Sequence, residues 1–212
     1  MSCERKLAYL GWDVEFDTVV GRVGGKALLT FCLLPSLLFI ARLIDRKDQD
    51  CVCAQFDALE RVFKRHRERC IGEGGVWWFF SSALTDRGSE MGDFKRLERT
   101  LFPIEGFDGE VVAERCRVFY CDPYASWQKP HIEESHTLLR RVLPKGTSFD
   151  GLTQDDVDLV CSHINSYARE SLQGATAFSA APAGFTDKLA SALGLKRIDP
   201  DEVCLTPRLL DR

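Results

Sequence analysis

The sequence predicts a mainly α fold: a helical bundle around one central apolar helix at 27–44, with room for one short β-hairpin near the N-terminus or within 76–120. Three observations carry that expectation. Residues 27–44, ALLTFCLLPSLLFIARLI, are the longest and most apolar run in the chain. Val52, Phe56, Leu59, Phe63, His66 and Cys70 recur at spacings of four and three, which is one stripe of an amphipathic helix. Over 153–171, Thr153 is followed three residues on by Asp156, an N-terminal capping pattern, and Val157, Val160, Ile164 and Tyr167 supply a buried face.

Taken in order, residues 7–20 contain a short alternation at Val14, Phe16 and Thr18 that suits a strand or a helical turn equally. GRVGG at 21–25 precedes Lys26, but a phosphate-binding P-loop would place Gly and Ser or Thr where Val20 and Ala27 stand. The glycines therefore read as a sharp turn into the apolar run. That run is uncharged only as far as Ala41, short of the roughly 20 residues a membrane span needs, and Arg42 interrupts it. Its favoured reading is a buried helix kinked at Pro35. The alternatives are a single membrane span with Arg42 snorkelling to the interface, and a face set against a partner subunit.

The 52–70 helix carries Arg61, Lys64, Arg65, Arg67 and Arg69 towards its C-terminal end, where the helix dipole favours cations. VWWFF at 76–80 offers a core cluster or an interface anchor. Together these give the candidate interaction residues Trp77, Trp78, Phe56, Phe63, Arg61, Lys64, Arg65 and Arg69. Residues 89–101 read as an amphipathic helix bearing Phe94, Leu97 and Leu101, and 110–122 mix β-formers with Ala and Glu, leaving strand and helix both open. A helix over 130–142 opens on Pro130, with Glu133 and Glu134 early and Arg140 and Arg141 late. The domain division is then a helical domain at 1–173, a small-residue linker at 174–184, and a C-terminal helix and tail at 185–212, the helix closed by Gly194.

A net charge of −4 gives no global footprint for phosphate, so nucleic acid is a disfavoured partner, a protein partner the favoured one and a membrane surface the alternative. Nine cysteines without framework spacing read as reduced thiols in an intracellular, reducing compartment, with membrane association left open. The N-terminus shows no cleavable leader, and no lipid-anchor motif is present.

Candidates for chemistry are few. His131 and His136 in HIEESH are five residues apart, about 140° around a helix, so they miss the spacing of four that lets two histidines share a metal. That segment reads as a solvent-facing helix start. Cys161 and His163 lie two apart on a helix, where their side chains diverge. These four residues form the catalytic pool, and no metal site or cofactor is expected. The functional expectation is a non-enzymatic helical interaction or scaffold subunit of a larger assembly, membrane-associated or free; the alternatives are a cysteine/histidine-dependent enzyme and a single-span membrane protein.

Overall fold

A computed structural model describes residues 12–70, 80–105, 109, 111–181 and 185–211. The central apolar run is two strands, not a helix. β1 (Trp12–Val20), β2 (Ala27–Leu34) and β3 (Leu38–Ile44) form an antiparallel meander, with Ala27 opposite Ile44 and Leu33 opposite Leu38. Pro35 does not kink a helix but lies in the tight turn between β2 and β3, which Leu37 completes in the left-handed region at φ 58°. Every residue of β2 before Leu34 is buried, because both faces of the sheet are covered. A strand buried on both sides shows no alternation, and a leucine-rich one carries local helix propensity, so pattern and propensity both pointed the wrong way.

After α1 (Gln49–Cys70) the chain returns through β4 (Phe80–Thr85), α2 (Phe94–Glu98), β5 (Arg99–Glu105), β6 (Val111–Glu114) and β7 (Arg117–Tyr120). The main sheet has the order β3-β2-β1-β4-β7, with β4 parallel to both β1 and β7, while β5 and β6 pair antiparallel as a second sheet. The helix expected over 89–101 is replaced by a short 3-10 turn at Ser89–Met91, by α2 and by the start of β5. The fold is therefore mixed α/β, and the helical-bundle expectation is corrected.

α1 covers one face of the sheet. Its stripe residues Val52, Phe56, Leu59 and Phe63 are buried, and the Phe56 ring meets Phe16, Phe31 and Phe80 from three strands. α3 (Pro130–Val142) and α4 (Gln154–Ser166) cover the other. α4 also closes the sheet's edge at β3: Asn165 bonds both the N–H and the C=O of Phe39, while Gln154 accepts from the Leu43 N–H and donates to the Ala41 C=O. These side chains replace the strand partner an open edge would recruit. α5 (Asp187–Ala192) places Leu189 and Ala190 in the same buried cluster. Among the described residues no helix is long and apolar enough to cross a membrane.

Candidate active site and metal centre

Strand alternation sends Val14 and Phe16 to the α1 side of β1 and Glu15 and Asp17 to the α3 side. Glu15 is buried and acts as an external cap for α3: its Oε2 accepts from the Ile132 N–H at 2.7 Å and its Oε1 lies 2.6 Å from His131 Nδ1. An acid at a helix N-terminus is favoured by the helix dipole. This contact fixes α3 against β1, so the HIEESH segment starts the helix against the sheet.

Three carboxylates converge above that contact. Asp17 lies on β1, two residues past Glu15, which pairs with Leu84 of β4. Asp86 follows the C-terminal end of β4, beside Asp17. Glu133 stands in the first turn of α3. Lys129, the residue before α3, has a side chain wholly removed from solvent and donates to Asp17 Oδ2 at 2.5 Å and to Asp86 Oδ2 at 2.8 Å. Burial alone would lower the pKa of that ammonium, but the bonds to the two aspartates raise it above the ordinary lysine value. Burial raises the Glu133 carboxyl, with Asp17 and Asp86 adding to the shift and Lys129 opposing it.

His136 is three residues beyond Glu133, and Asp17, Glu133 and His136 each offer a ligand atom within 4.8 Å of the other two. Burial holds its imidazole neutral, with a pKa pushed down to about 4; Asp17 opposes that shift and Lys129 and Arg140 reinforce it. Beside this cluster runs a cavity of about 430 Å³ lined by Thr18, Val19, Thr137, Arg140 and Lys145 as well as by Asp17, Glu133 and His136.

The donor set fits a hard divalent cation. Carboxylate oxygens are what Mg²⁺ and Mn²⁺ take, and gathered carboxylates need a positive charge among them. Here a lysine ammonium, drawn wholly out of water between two of them, supplies that charge.

The other sequence candidates lie elsewhere. Cys161 is fully buried in α4, where burial pushes its thiol up to about 12 and holds it protonated, away from the carboxylate cluster. His163 faces the C-terminal tail, its Nδ1 accepting from the Cys204 N–H at 3.1 Å. Phe56 and Phe63 are core residues against the sheet. Arg61, Lys64 and Arg65 line a cavity with Phe102, and Lys64 sits 3.8 Å over the Phe102 ring. Trp77, Trp78 and the Arg69 side chain lie outside the described residues. Sequence reasoning missed Asp17, Asp86 and Lys129 and named Glu133 only as an acid early in the 130–142 helix. The available signal was an acid ending each of two apolar strand-like runs, VEFD and SSALTD; in open α/β sheets, sites gather at the carboxyl ends of strands.

No protein-family model matches the chain. A putative integrase of Spiroplasma virus SpV1-R8A2 B is 28% identical over 169 residues, covering 80% of this chain and 45% of that protein. The transposase InsI of insertion sequence element IS30A from Escherichia coli K12 is 32% identical over 141 residues, 63% of this chain and 32% of the transposase. The chain is similar to integrases and transposases. It spans less than half the length of these relatives. Among solved structures, a simian T-cell lymphotropic virus intasome in complex with PP2A regulatory subunit B56 gamma superposes with a TM-score of 0.53 at 13% identity, covering 84% of this chain and 57% of that one. That likeness shows the fold, which is RNase H-like.

These relatives overturn three expectations. The scaffold-subunit reading fails because proteins named integrase and transposase align with most of the chain. The picture of a helical, membrane-associated assembly subunit fails with it, since the fold is mixed α/β and no described helix is long and apolar enough to cross a membrane. Nucleic acid can no longer be set aside as a partner on net charge, which averages over the surface, whereas a phosphate-binding site needs only local charge.

Proposed function

We propose that the chain is the catalytic core of a DNA-recombining enzyme that cuts and joins phosphodiester bonds, with Asp17, Asp86 and Glu133 as the carboxylates that hold divalent cations. The observation that carries this reading is the convergence of the three carboxylates around the buried Lys129. It is supported by an RNase H-like fold and by relatives named integrase and transposase. Divalent cations bound there would polarise the scissile phosphate and lower the pKa of the attacking water or hydroxyl.

The chain's own residues do the rest. Asp17 is rigid, held in the middle of the sheet on β1, with its Oδ1 accepting from the Thr18 N–H at 2.7 Å. Glu133 is solvent-exposed at the rim, where the substrate phosphate would arrive. Exposed Lys145 and half-buried Arg140 line the adjoining cavity and fit the backbone phosphates of DNA, and Arg61, Lys64 and Arg65 on α1 offer a second cationic surface. Arg140 is already oriented, since its guanidinium donates to the Val20 C=O at 2.9 Å. An intracellular, reducing setting agrees with this function: the seven cysteines whose side chains are described are all free thiols.

Incubating the purified chain with supercoiled plasmid and Mn²⁺ tests the proposal, with nicked circles as the readout. Nicking is expected with the wild type, lost on chelation, and reduced at least about a hundredfold in Asp17→Asn, Asp86→Asn and Glu133→Gln, each checked for folding by circular dichroism. Absence of nicking by the wild type, or nicking indifferent to all three substitutions, would contradict it.

A further inference from the structure

The carboxylates account for an oxygen-only site, but one residue beside them is not an acid. His136 follows Glu133 at a spacing of three, which stacks the two side chains on one face of α3. Its ligand atom lies within 4.8 Å of those of both Asp17 and Glu133. The ring is held on two sides. It packs edge-on against Phe39 with centroids 6.4 Å apart, and its Nε2 sits 2.8 Å from Thr30 Oγ1.

Thr30 decides the tautomer. A hydroxyl has a single proton, and Thr30 donates its own to the Asp17 C=O at 2.9 Å. Towards His136 it can therefore only accept, so Nε2 carries the ring proton and Nδ1 keeps a lone pair. Metal-binding histidines are tied in this way, with one nitrogen donating to a fixed acceptor and the other left for the metal. Lys129 marks a separate place for positive charge, between Asp17 and Asp86. Asp17 thus belongs to two clusters, one with Asp86 and the other with Glu133 and His136.

We propose that Asp17, Glu133 and His136 form a mixed oxygen–nitrogen cation position, and that His136 biases the site towards Mn²⁺ over Mg²⁺. This rests on the reading of the carboxylates as a divalent-cation site. Mg²⁺ takes oxygen ligands in near-ideal octahedra and keeps its waters, so a ring nitrogen adds little to its binding. Imidazole suits the transition metals, and Mn²⁺ is the member of that series that also accepts carboxylates and water.

The test uses the metal alone, without DNA. Mn²⁺ is titrated into the full chain and followed by electron paramagnetic resonance, with pulsed measurements for directly coordinated ¹⁴N and Mg²⁺ affinity taken from competition. The wild type is expected to show a coordinated ¹⁴N. His136→Gln is expected to lose that signal and bind Mn²⁺ about tenfold more weakly, with Mg²⁺ affinity changed less than about threefold. Thr30→Val, which keeps the ring but removes its acceptor, is expected to weaken Mn²⁺ binding by a smaller factor. Mn²⁺ binding that is lost in Asp17→Asn but shows no ¹⁴N coupling and is unchanged in His136→Gln would overturn this proposal and leave the carboxylate site standing. Binding unchanged in Asp17→Asn would overturn the carboxylate reading itself.

Discussion

Among the described residues two cations with side chains wholly removed from solvent sit among carboxylates, Arg115 and Lys129, and the contrast between them separates scaffold from site. Arg115 bonds Asp57 at 2.6 Å and Glu60 at 3.1 Å, and its remaining donors reach the Leu97 and Arg96 carbonyls. Glu60 is nearly as buried as Arg115 and is itself engaged by the Thr100 hydroxyl and the Leu101 N–H. The result is a knot around the buried Glu60 that ties α1 to the β5–β6 sheet, with Asp57, its side chain 30% exposed, at the edge. Lys129 is just as buried, but where Arg115 has one buried partner, Glu60 at 4% exposure, Lys129 has none: the Asp17 side chain is 22% exposed and that of Asp86 49%, with exposed Glu133 alongside. One arrangement centres on a buried carboxylate that the protein itself satisfies, while the other gathers three water-accessible carboxylates at one place, open for something else to bind.

Removing each cation should split the two roles. Arg115→Met leaves Glu60 buried without its partner and is expected to cost about 3–5 kcal/mol of stability, read as a lowered urea midpoint, with Mn²⁺ affinity unchanged. Lys129→Met leaves partners that water can solvate, so its cost is expected to be roughly half as large or less. Because a competing positive charge has gone, Mn²⁺ should bind about tenfold tighter and restore the lost stability as it saturates. Equal destabilisation by both, with no gain in Mn²⁺ affinity for Lys129→Met, would make Lys129 a second structural knot.

A smaller effect sharpens the contrast between working and structural histidines. Burial holds His163 below its ordinary pKa, with Glu202 opposing, and the neutral Nδ1 accepts from the Cys204 N–H. The folded state therefore disfavours the proton. Stability from this group is present above pH of about 6.5 and is lost as pH falls through the depressed value, by about 1.4 kcal/mol for each unit of depression. Urea midpoints at pH 7 and pH 5 are expected to fall further apart in the wild type than in His163→Gln. An identical pH response in both would remove His163 as the cause.

Elements whose signals are local were legible in the sequence. The α1 stripe holds because only one side of that helix meets the sheet. α3 opens on Pro130, and α4 begins with the Thr153–Asp156 capping box. Gly194, at φ 79°, closes α5 where a side chain would strike Asp158. What was not legible is what tertiary structure decides. Residues 27–44 carry the leucine content of a helix, yet their neighbours on both faces make them two strands. The acids of the site come from two strands and a helix far apart in the chain, so no spacing rule could gather them. The spacing of five kept His131 and His136 apart as a pair, and they do diverge, His131 to Glu15 and His136 to Thr30; what spacing could not show is that His136 meets Asp17 and Glu133.

Whether the opening around Lys129 holds a cation can be seen by anomalous diffraction from crystals of the chain grown with Mn²⁺. Anomalous density is expected among Asp17, Asp86 and Glu133, with the Lys129 ammonium moved out from between the aspartates. Lys129 still bridging Asp17 and Asp86 at saturating Mn²⁺, with no anomalous density at the three carboxylates, would contradict a cation site there.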